Sequence, residues 1–244
     1  MLLMNMEKGS FFLGQNFLSD IELYYSTNFS NDRNSIILLN EEARHIARVM
    51  RHQVGDEIFV TNGAGSIFKV RISEIGKEHV AANILSEIKY KNKLENVFVC
   101  IPIIKNFDRL EFAIEKCVEL GITNFTFYKA ERSFNKNPKL ERWEKIATAA
   151  MKQSLRSFLP KLEFVKDINK MIDTDIILFD QKSKRHFSDW KLPNGKCSFI
   201  FGPEGGFSDN EMKQLGNSTK LKLAENRLRS ETAIITFAAQ LSAL

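Results

Sequence analysis

The sequence predicts an α/β protein in which a small β-rich domain precedes a larger α/β domain. Short runs of alternating hydrophobicity, separated by turn residues such as Gly63 and Gly65, occupy residues 21–90 and predict a compact barrel. From about residue 95, continuous apolar runs alternate with amphipathic helices, as in a mostly parallel sheet covered on both faces. We therefore divide the chain into an N-terminal arm (1–20), the barrel (21–90) and an α/β domain (95–244).

Composition narrows the class of protein. The chain has 244 residues, of which 43% are hydrophobic, and a formal net charge of +5, which excludes a disordered or fibrous protein and agrees with a polyanionic partner. No run approaches the roughly 20 apolar residues of a transmembrane helix, so we expect no membrane association. Cys100, Cys117 and Cys197 lie too far apart for a metal site or a disulfide framework, and a reducing cytoplasm is the simplest location.

The barrel region contains one helix with a basic side. A helix from about 41 to 52 is predicted to follow an N-cap at Asn40 and to stop at Gly55. Its apolar positions Ala43, Ile46, Val49 and Met50 fall on one face. The basic positions fall at i, i+4 and i+7 on another, and they are Arg44, Arg48 and Arg51. Such a stripe is either a solvated helix face or a phosphate-binding surface.

The α/β domain is predicted from its apolar runs. The expected strands are 97–103, 124–130, 175–181, 197–202 and 220–225. The expected helices are 107–121, 140–159, which Pro160 stops, and one from about 230.

Two loops follow strands of this domain, where open α/β sheets bind ligands. Phe201–Ser208 reads FGPEGGFS, and its glycines allow a ligand to approach the backbone, although a tight turn explains them too. Ser208 and Glu211 form a predicted capping box for the next helix. The second loop, Leu223–Ala233, is either a solvated loop with a helix cap at Ser230 or a binding loop. Neither loop matches a dinucleotide fingerprint or a P-loop, which disfavours nicotinamide or phosphate-transfer chemistry.

Together these segments resemble the ribosomal RNA small subunit methyltransferase E family, the 16S rRNA uracil-N3 methyltransferases of the SPOUT class. The matching text includes NEEARHIARVMRHQVGDEI, TNGAGSIF, EKCVELGI, KQSLRSFLP, FGPEGGFSDNE and RLRSETA, and it covers nearly everything after the arm. The resemblance implies a PUA-like RNA-binding barrel, a SPOUT sheet tied in a deep trefoil knot, S-adenosylmethionine as donor and a homodimer. It also implies 16S rRNA or the small ribosomal subunit as partner.

The resemblance carries roles over by position. The donor would be bound by residues of three loops, namely Leu178, Phe179, Phe201, Gly202, Pro203, Glu204, Gly205, Gly206, Leu223, Asn226, Leu228 and Arg229. For Leu178 and Phe179, core packing is an alternative use of the side chain. The catalytic candidates are Arg229, for charge stabilisation, and Glu204 and Glu231, as proton acceptors, although Glu231 could simply begin a helix and pair with Arg229.

RNA contact is implied for Arg44, His45, Arg48, Arg51, Arg132, Gln153 and Arg156. Gln153 and Arg156 would lie on one side of the long helix, whose apolar residues Trp143, Ile146, Ala147 and Ala150 could face a partner subunit. Two positions depart from the family pattern. Ala224 replaces a customary glycine, and Lys152 replaces a customary carboxylate. The alternative function is a non-catalytic RNA-binding protein with a vestigial donor pocket.

Overall fold

The computed structural model describes residues 21–133, 136–166, 168 and 175–243. The predicted arm, 1–20, lies outside the described residues. The chain forms two compact units. The first contains the described residues up to Asn92 together with Met151–Leu159, and the second contains Lys93–Ala150 and the chain from Pro160 onward. The segment 151–159, predicted as the end of a helix of the α/β domain, thus belongs to the first unit.

The first unit is built on a six-stranded sheet. Its strands are β1 (Leu23–Tyr25), β2 (Asn28–Phe29), β3 (Ser35–Leu39), β4 (Glu57–Thr61), β5 (Ser66–Ile75) and β6 (His79–Lys89). Their order is β1-β4-β5-β6-β3-β2, with antiparallel pairing except between β1 and β4. Alternate residues such as Ile36, Leu38 and Val60 are fully buried in one core. The alternating runs expected in residues 21–90 are thus confirmed as strands, and the short strand β2 was not predicted.

The helix of the first unit differs from its prediction. Helix α1 spans Asn40–Arg44 and passes into a π-helical turn, His45–Val49. The predicted N-cap at Asn40 is wrong, because Leu39 takes that position and Asn40 itself has a φ of 52°. A π-turn advances each residue by less rotation than an α-helix, so the predicted shared faces do not hold. Val49 and Met50, expected inside, are 64% and 39% exposed.

The segment Met151–Leu159 is joined to this sheet by backbone and side-chain contacts. The Leu159 N–H donates to the Gly63 carbonyl at 2.8 Å, and the Gly65 N–H donates to the Ser157 carbonyl at 2.9 Å. Lys152 Nζ forms an ion pair with the mostly buried carboxylate of Glu42. Lys152, which departs from the family pattern, therefore binds this segment to helix α1.

The second unit is built on a six-stranded parallel sheet. Its strands are β7 (Val97–Pro102), β8 (Asn124–Tyr128), β9 (Lys161–Val165), β10 (Asp175–Phe179), β11 (Cys197–Ile200) and β12 (Thr219–Leu221). Their order is β12-β10-β11-β7-β8-β9, and every neighbouring pair is parallel. The five predicted strands are confirmed with shorter ends, and β9 was not predicted. All the segments that follow these strands therefore emerge at one edge of the sheet, here called the carboxyl edge.

The helices of the second unit are α2 (Phe107–Glu119), α3 (Leu140–Gln153), α4 (Asp209–Gln214) and α5 (Ser230–Ser242). Helix α3 ends six residues before the predicted stop, and Leu155 beyond it has a φ of 55°. Gln153 and Arg156 therefore do not share a helix. The predicted apolar stripe of α3 is not free for a partner subunit either, because Trp143, Ala147 and Ala150 are at most 4% exposed. Trp143 packs on Phe107 and Phe127.

Candidate active site

A cavity of about 790 Å³ lies at the carboxyl edge of the parallel sheet. Three segments line most of it: the end of β10, the loop after β11 and the loop after β12. These are the three loops that the family resemblance implies for donor binding. Its lining residues are Arg109, Phe179, Gln181, Phe201, Gly202, Pro203, Glu204, Gly205, Gly206, Phe207, Leu223, Ala224, Asn226, Arg227, Leu228, Arg229, Ser230, Glu231 and Ala233.

The structure brings together nearly all the residues predicted for donor binding and catalysis. Leu178 is the exception, since it is 2% exposed and packs in the core with Cys100, Tyr128 and Ile200. Phe179 both lines the cavity and stacks inward, with its ring centroid 5.0 Å from that of Phe201 and 5.5 Å from that of Phe237. The Leu178 side chain thus packs in the core, whereas the Phe179 side chain both packs in the core and lines the cavity.

The loop Phe201–Phe207, here called the glycine loop, is fixed at its first residue. The Phe201 N–H donates to the Cys100 carbonyl at 3.0 Å, and the buried Tyr128 hydroxyl donates to the Phe201 carbonyl at 2.6 Å. Burial, with a smaller contribution from the nearby Glu211 carboxylate, raises the pKa of Tyr128 well above its usual range. The phenol therefore stays protonated and remains a donor to this carbonyl.

The last residue of the capping box fixes the other end of the loop. Glu211 is 3% exposed, and its carboxylate accepts hydrogen bonds from the Ser208 N–H at 2.7 Å and from the Glu131 N–H at 3.0 Å. The Ser208 hydroxyl accepts from the Glu211 N–H in return, so the predicted capping box is confirmed. One buried carboxylate thus joins the glycine loop to the segment that carries Arg132.

Arg132 packs directly against the glycine loop. Its Nη1 donates to the Gly205 carbonyl at 3.4 Å, and a Cβ added at Gly205 would lie 3.2 Å from the Cβ of Arg132. Gly206 has a φ of 71°, a conformation that favours glycine, with nothing within 4 Å of an added Cβ. Glycine is therefore favoured at the two positions for different reasons. Gly205 leaves room for Arg132, and Gly206 adopts the positive φ that the turn requires.

The three catalytic candidates all line the cavity but differ in their surroundings. Arg229 is the N-cap residue of α5, in place of the predicted Ser230, and its exposed guanidinium makes no ion pair within the described part of the chain. Glu231, in the first turn of α5, pairs with Arg109 at 3.6 Å, not with Arg229 as the alternative held. The Glu204 side chain is exposed on the glycine loop. The cavity thus combines a free guanidinium with two carboxylates.

Arg109 is a site residue that sequence reasoning missed. It lies in the first turn of α2, after the carboxyl end of β7, where Asn106 caps the helix by accepting from the Asp108 and Arg109 N–H groups. Its position one loop beyond a buried parallel strand was the available signal.

The residues predicted to contact RNA divide between the units. Arg44, Arg48 and Arg51 are exposed in the first unit, as are Gln153 and Arg156. His45 is half-buried, with Nδ1 3.9 Å from the Glu22 carboxylate and its ring 5.8 Å from that of Tyr24. Arg132 belongs to the second unit, beside the glycine loop.

Two further searches concern the described residues alone. No helix among them is long and apolar enough to cross a membrane. No group of three or more His, Cys, Asp or Glu side chains within the described ranges could hold a metal ion. The three cysteines are buried free thiols, and burial raises the pKa of Cys100 and of Cys197 to about 12.

Comparison with known proteins identifies the class of both units. Residues 91–242 match the model of an RNA methyltransferase domain, and residues 38–85 match that of an RNA methyltransferase PUA domain. The Ribosomal RNA small subunit methyltransferase E of Bacillus subtilis is 31% identical over 218 residues, which are 80% of this chain and 85% of that protein. The chain therefore belongs to the ribosomal RNA small subunit methyltransferase E family.

Solved structures share the fold of this chain. A candidate methyltransferase from Legionella pneumophila, in complex with its bound cofactor S-adenosylmethionine, is 25% identical, with a TM-score of 0.78 over 91% of this chain and 97% of that one. The Ribosomal RNA small subunit methyltransferase E from Neisseria gonorrhoeae, also bound to S-adenosylmethionine, shares the fold at 24% identity, with a TM-score of 0.78 over 91% and 97% of the two chains.

Proposed function

We propose that this protein transfers a methyl group from S-adenosylmethionine to N3 of a specific uridine in 16S ribosomal RNA. The observation that carries the proposal is the cavity of about 790 Å³ at the carboxyl edge, which combines glycine-loop backbone and apolar walls with Arg229, Glu204 and Glu231. Membership of an RNA methyltransferase family supports the reaction class. The uridine and its N3 atom come from the family resemblance.

The residues present fit the donor. A cavity of about 790 Å³ is large enough for a nucleoside with an amino-acid side arm. Phe179, Leu223 and Leu228 provide apolar walls for a flat adenine ring, and the glycine loop lets backbone groups approach a ligand closely. The donor supplies an electrophilic methyl group on a sulfonium ion.

The acceptor chemistry requires the loss of a proton. N3 of uracil is an imide nitrogen that is mostly protonated at neutral pH, and its lone pair attacks the methyl group only as that proton leaves. Arg229 stabilises the negative charge that develops on the uracil oxygens, because its guanidinium has no carboxylate partner within the described residues. Glu204 or Glu231 accepts the proton, and Glu231 must then share its carboxylate with Arg109.

Calorimetry with S-adenosylmethionine tests the donor site directly. We expect binding in the micromolar range by the folded protein. Absence of any heat from a folded sample would favour the alternative, an RNA-binding protein with a vestigial donor pocket.

Three finer features complete the proposal. The active form is a homodimer, the first unit closes as a PUA-like barrel, and the second is tied in a trefoil knot, all of which the family resemblance implies. Phe112 on α2 supports association, because 51% of its surface is exposed in the single chain. Because the proposed target is ribosomal RNA, we expect the protein to act in the cytoplasm. Sedimentation tests the dimer, and a monomer at the concentrations where activity is measured would exclude it.

A further inference from the structure

A second cleft lies beside the donor cavity at the carboxyl edge. Its volume is about 580 Å³, and the segment Lys105–Arg109, Lys136, Lys139 and Glu204 line it. Four of these side chains are cationic, and two, Asp108 and Glu204, are carboxylates. The cleft therefore presents an excess of positive charge, which selects a polyanion.

Two of the three lysines of this cleft, Lys136 and Lys139, are held beside one aromatic ring. Lys136 Nζ lies 5.0 Å from the centroid of the Phe107 ring, and Lys139 Nζ lies 5.4 Å from it. Lys136 Nζ also donates to the Lys105 carbonyl at 2.7 Å. The Phe107 ring is itself fixed edge-on against the buried Trp143, at 5.5 Å. Both ammonium groups are thus held near one fixed ring, so less side-chain freedom is lost when they bind an anion.

The cleft adjoins the donor cavity. Arg109 and Glu204 line both of them, at the same edge of one sheet. An acceptor strand that places a base in the donor cavity must leave it through neighbouring space, and its phosphates need cationic contacts there.

We propose that this second cleft binds the phosphodiester backbone of the RNA strand beside the target nucleotide. This inference rests on the proposed function, since it assigns the route of that substrate to the same site. Lys136 and Lys139 contact phosphate oxygens, and Arg109 stands where the strand passes into the donor cavity. The competing assignment is the carboxylate of the donor's methionine part, which would also favour cations.

The test combines Lys136→Gln with Lys139→Gln in the full chain. The matched control is Lys161→Gln combined with Lys196→Gln, which removes the same amount of charge. These lysines lie at the amino ends of the strands, away from the carboxyl edge, because Lys161 begins β9 and Lys196 immediately precedes β11. Binding of a 16S rRNA fragment is measured against salt concentration, with donor affinity measured by calorimetry and the KM for RNA measured separately.

We expect the cleft variant to raise the KM for RNA about tenfold and to lower the slope of log affinity against log salt by about 1.4, as two lost single-strand phosphate contacts predict. Its donor affinity should stay within about twofold of wild type, and the control should match wild type throughout. A loss of donor affinity would assign the lysines to the donor and overturn the proposal. An unchanged salt slope and KM would overturn it as well.

These outcomes are separate from failure of the proposed function. If the wild-type protein bound the rRNA fragment but methylated no uridine, the reaction would be wrong, while the salt slope of the cleft variant would still decide whether the cleft binds RNA.

Discussion

At the scale of single residues, Arg229 is the residue on which the proposed methyl-transfer mechanism depends most. It is the N-cap residue of α5, it lines the donor cavity, and Glu231 pairs with Arg109 instead of with it. Its guanidinium is therefore available to a substrate. The pairing of Glu231 with Arg109 could not be predicted from the segment RLRSETA, because Arg229 and Glu231 lie only two positions apart there and would be expected to pair with each other.

Arg229→Lys should lower kcat by about 100-fold with little change in donor or RNA affinity, because a point charge does not replace a planar fork in the transition state. Raising the pH should partly rescue the variant, since more of the uracil is then already ionised. Single-turnover kinetics with separate donor titrations measure both effects. Normal turnover, or a defect entirely in donor binding, would make Arg229 a structural residue.

Tyr128 positions the glycine loop and makes the stability of the second unit depend on pH. Tyr128→Phe removes the 2.6 Å hydrogen bond to the Phe201 carbonyl and should destabilise the second unit by about 1–3 kcal/mol. The folded state raises the pKa of Tyr128, so its contribution to stability is complete below the unfolded pKa of about 10 and falls as the pH rises beyond it.

The difference in unfolding free energy between wild type and Tyr128→Phe should therefore shrink progressively as the pH rises above about 10. Tryptophan fluorescence reports this unit selectively, because Trp143 and Trp190, the two tryptophans of the sequence, both belong to it. A difference that stays constant with pH would mean that the phenol keeps a normal pKa.

At the scale of elements, the glycine loop owes its shape to its neighbours. Gly205→Val should weaken donor binding at least about tenfold, because its Cβ would meet Arg132 at 3.2 Å and push the loop off its position. The sequence analysis expected the glycines of this loop to leave room for a ligand, whereas the structure shows that Gly205 leaves room for Arg132. Calorimetry measures the loss, with circular dichroism as the control for folding. Unchanged donor affinity would mean that the loop is only a turn.

The basic residues after β3 form the second testable element. Replacing Arg44, Arg48 and Arg51 by Gln should weaken RNA binding and lower the salt slope by up to about 2, while donor binding stays unchanged. All three guanidinium groups are exposed, although the π-turn breaks their predicted spacing. Filter binding of an rRNA fragment at several salt concentrations measures this slope. An unaltered slope would mean that the three arginines are solvated and do not contact RNA.

Regular patterns predicted most elements, and local exceptions account for the errors. Buried parallel strands such as β7 and β11 were predictable because both faces are apolar. The shortened α3 was not, because Leu155 adopts a positive φ that its side chain does not signal. Strand β9 was not predicted, although KLEFV alternates polar and apolar residues, and the structure shows its backbone paired with β8. Backbone hydrogen bonds with distant segments decided these cases.

At the scale of the whole molecule, the two units combine a domain of the PUA type with a methyltransferase domain. Arg132, which contacts the glycine loop, and Arg109, which lines the cavity, follow two neighbouring strands of the same parallel sheet, β8 and β7. Their convergence follows from strand order, which no local pattern encodes. Two of the loops that line the cavity, Phe201–Ser208 and Leu223–Ala233, could be predicted because each directly follows a recognisable strand, whereas the third was implied only by the family resemblance.

The central claim is that this protein methylates N3 of one uridine in 16S rRNA. The most direct measurement is mass mapping of 16S rRNA from cells that lack the protein, compared with the parent cells and with cells complemented by the wild-type gene or by Arg229→Lys. We predict that one methylated uridine disappears in the deletion and returns with the wild-type gene only. An unchanged pattern of uridine methylation in the deletion would contradict the account.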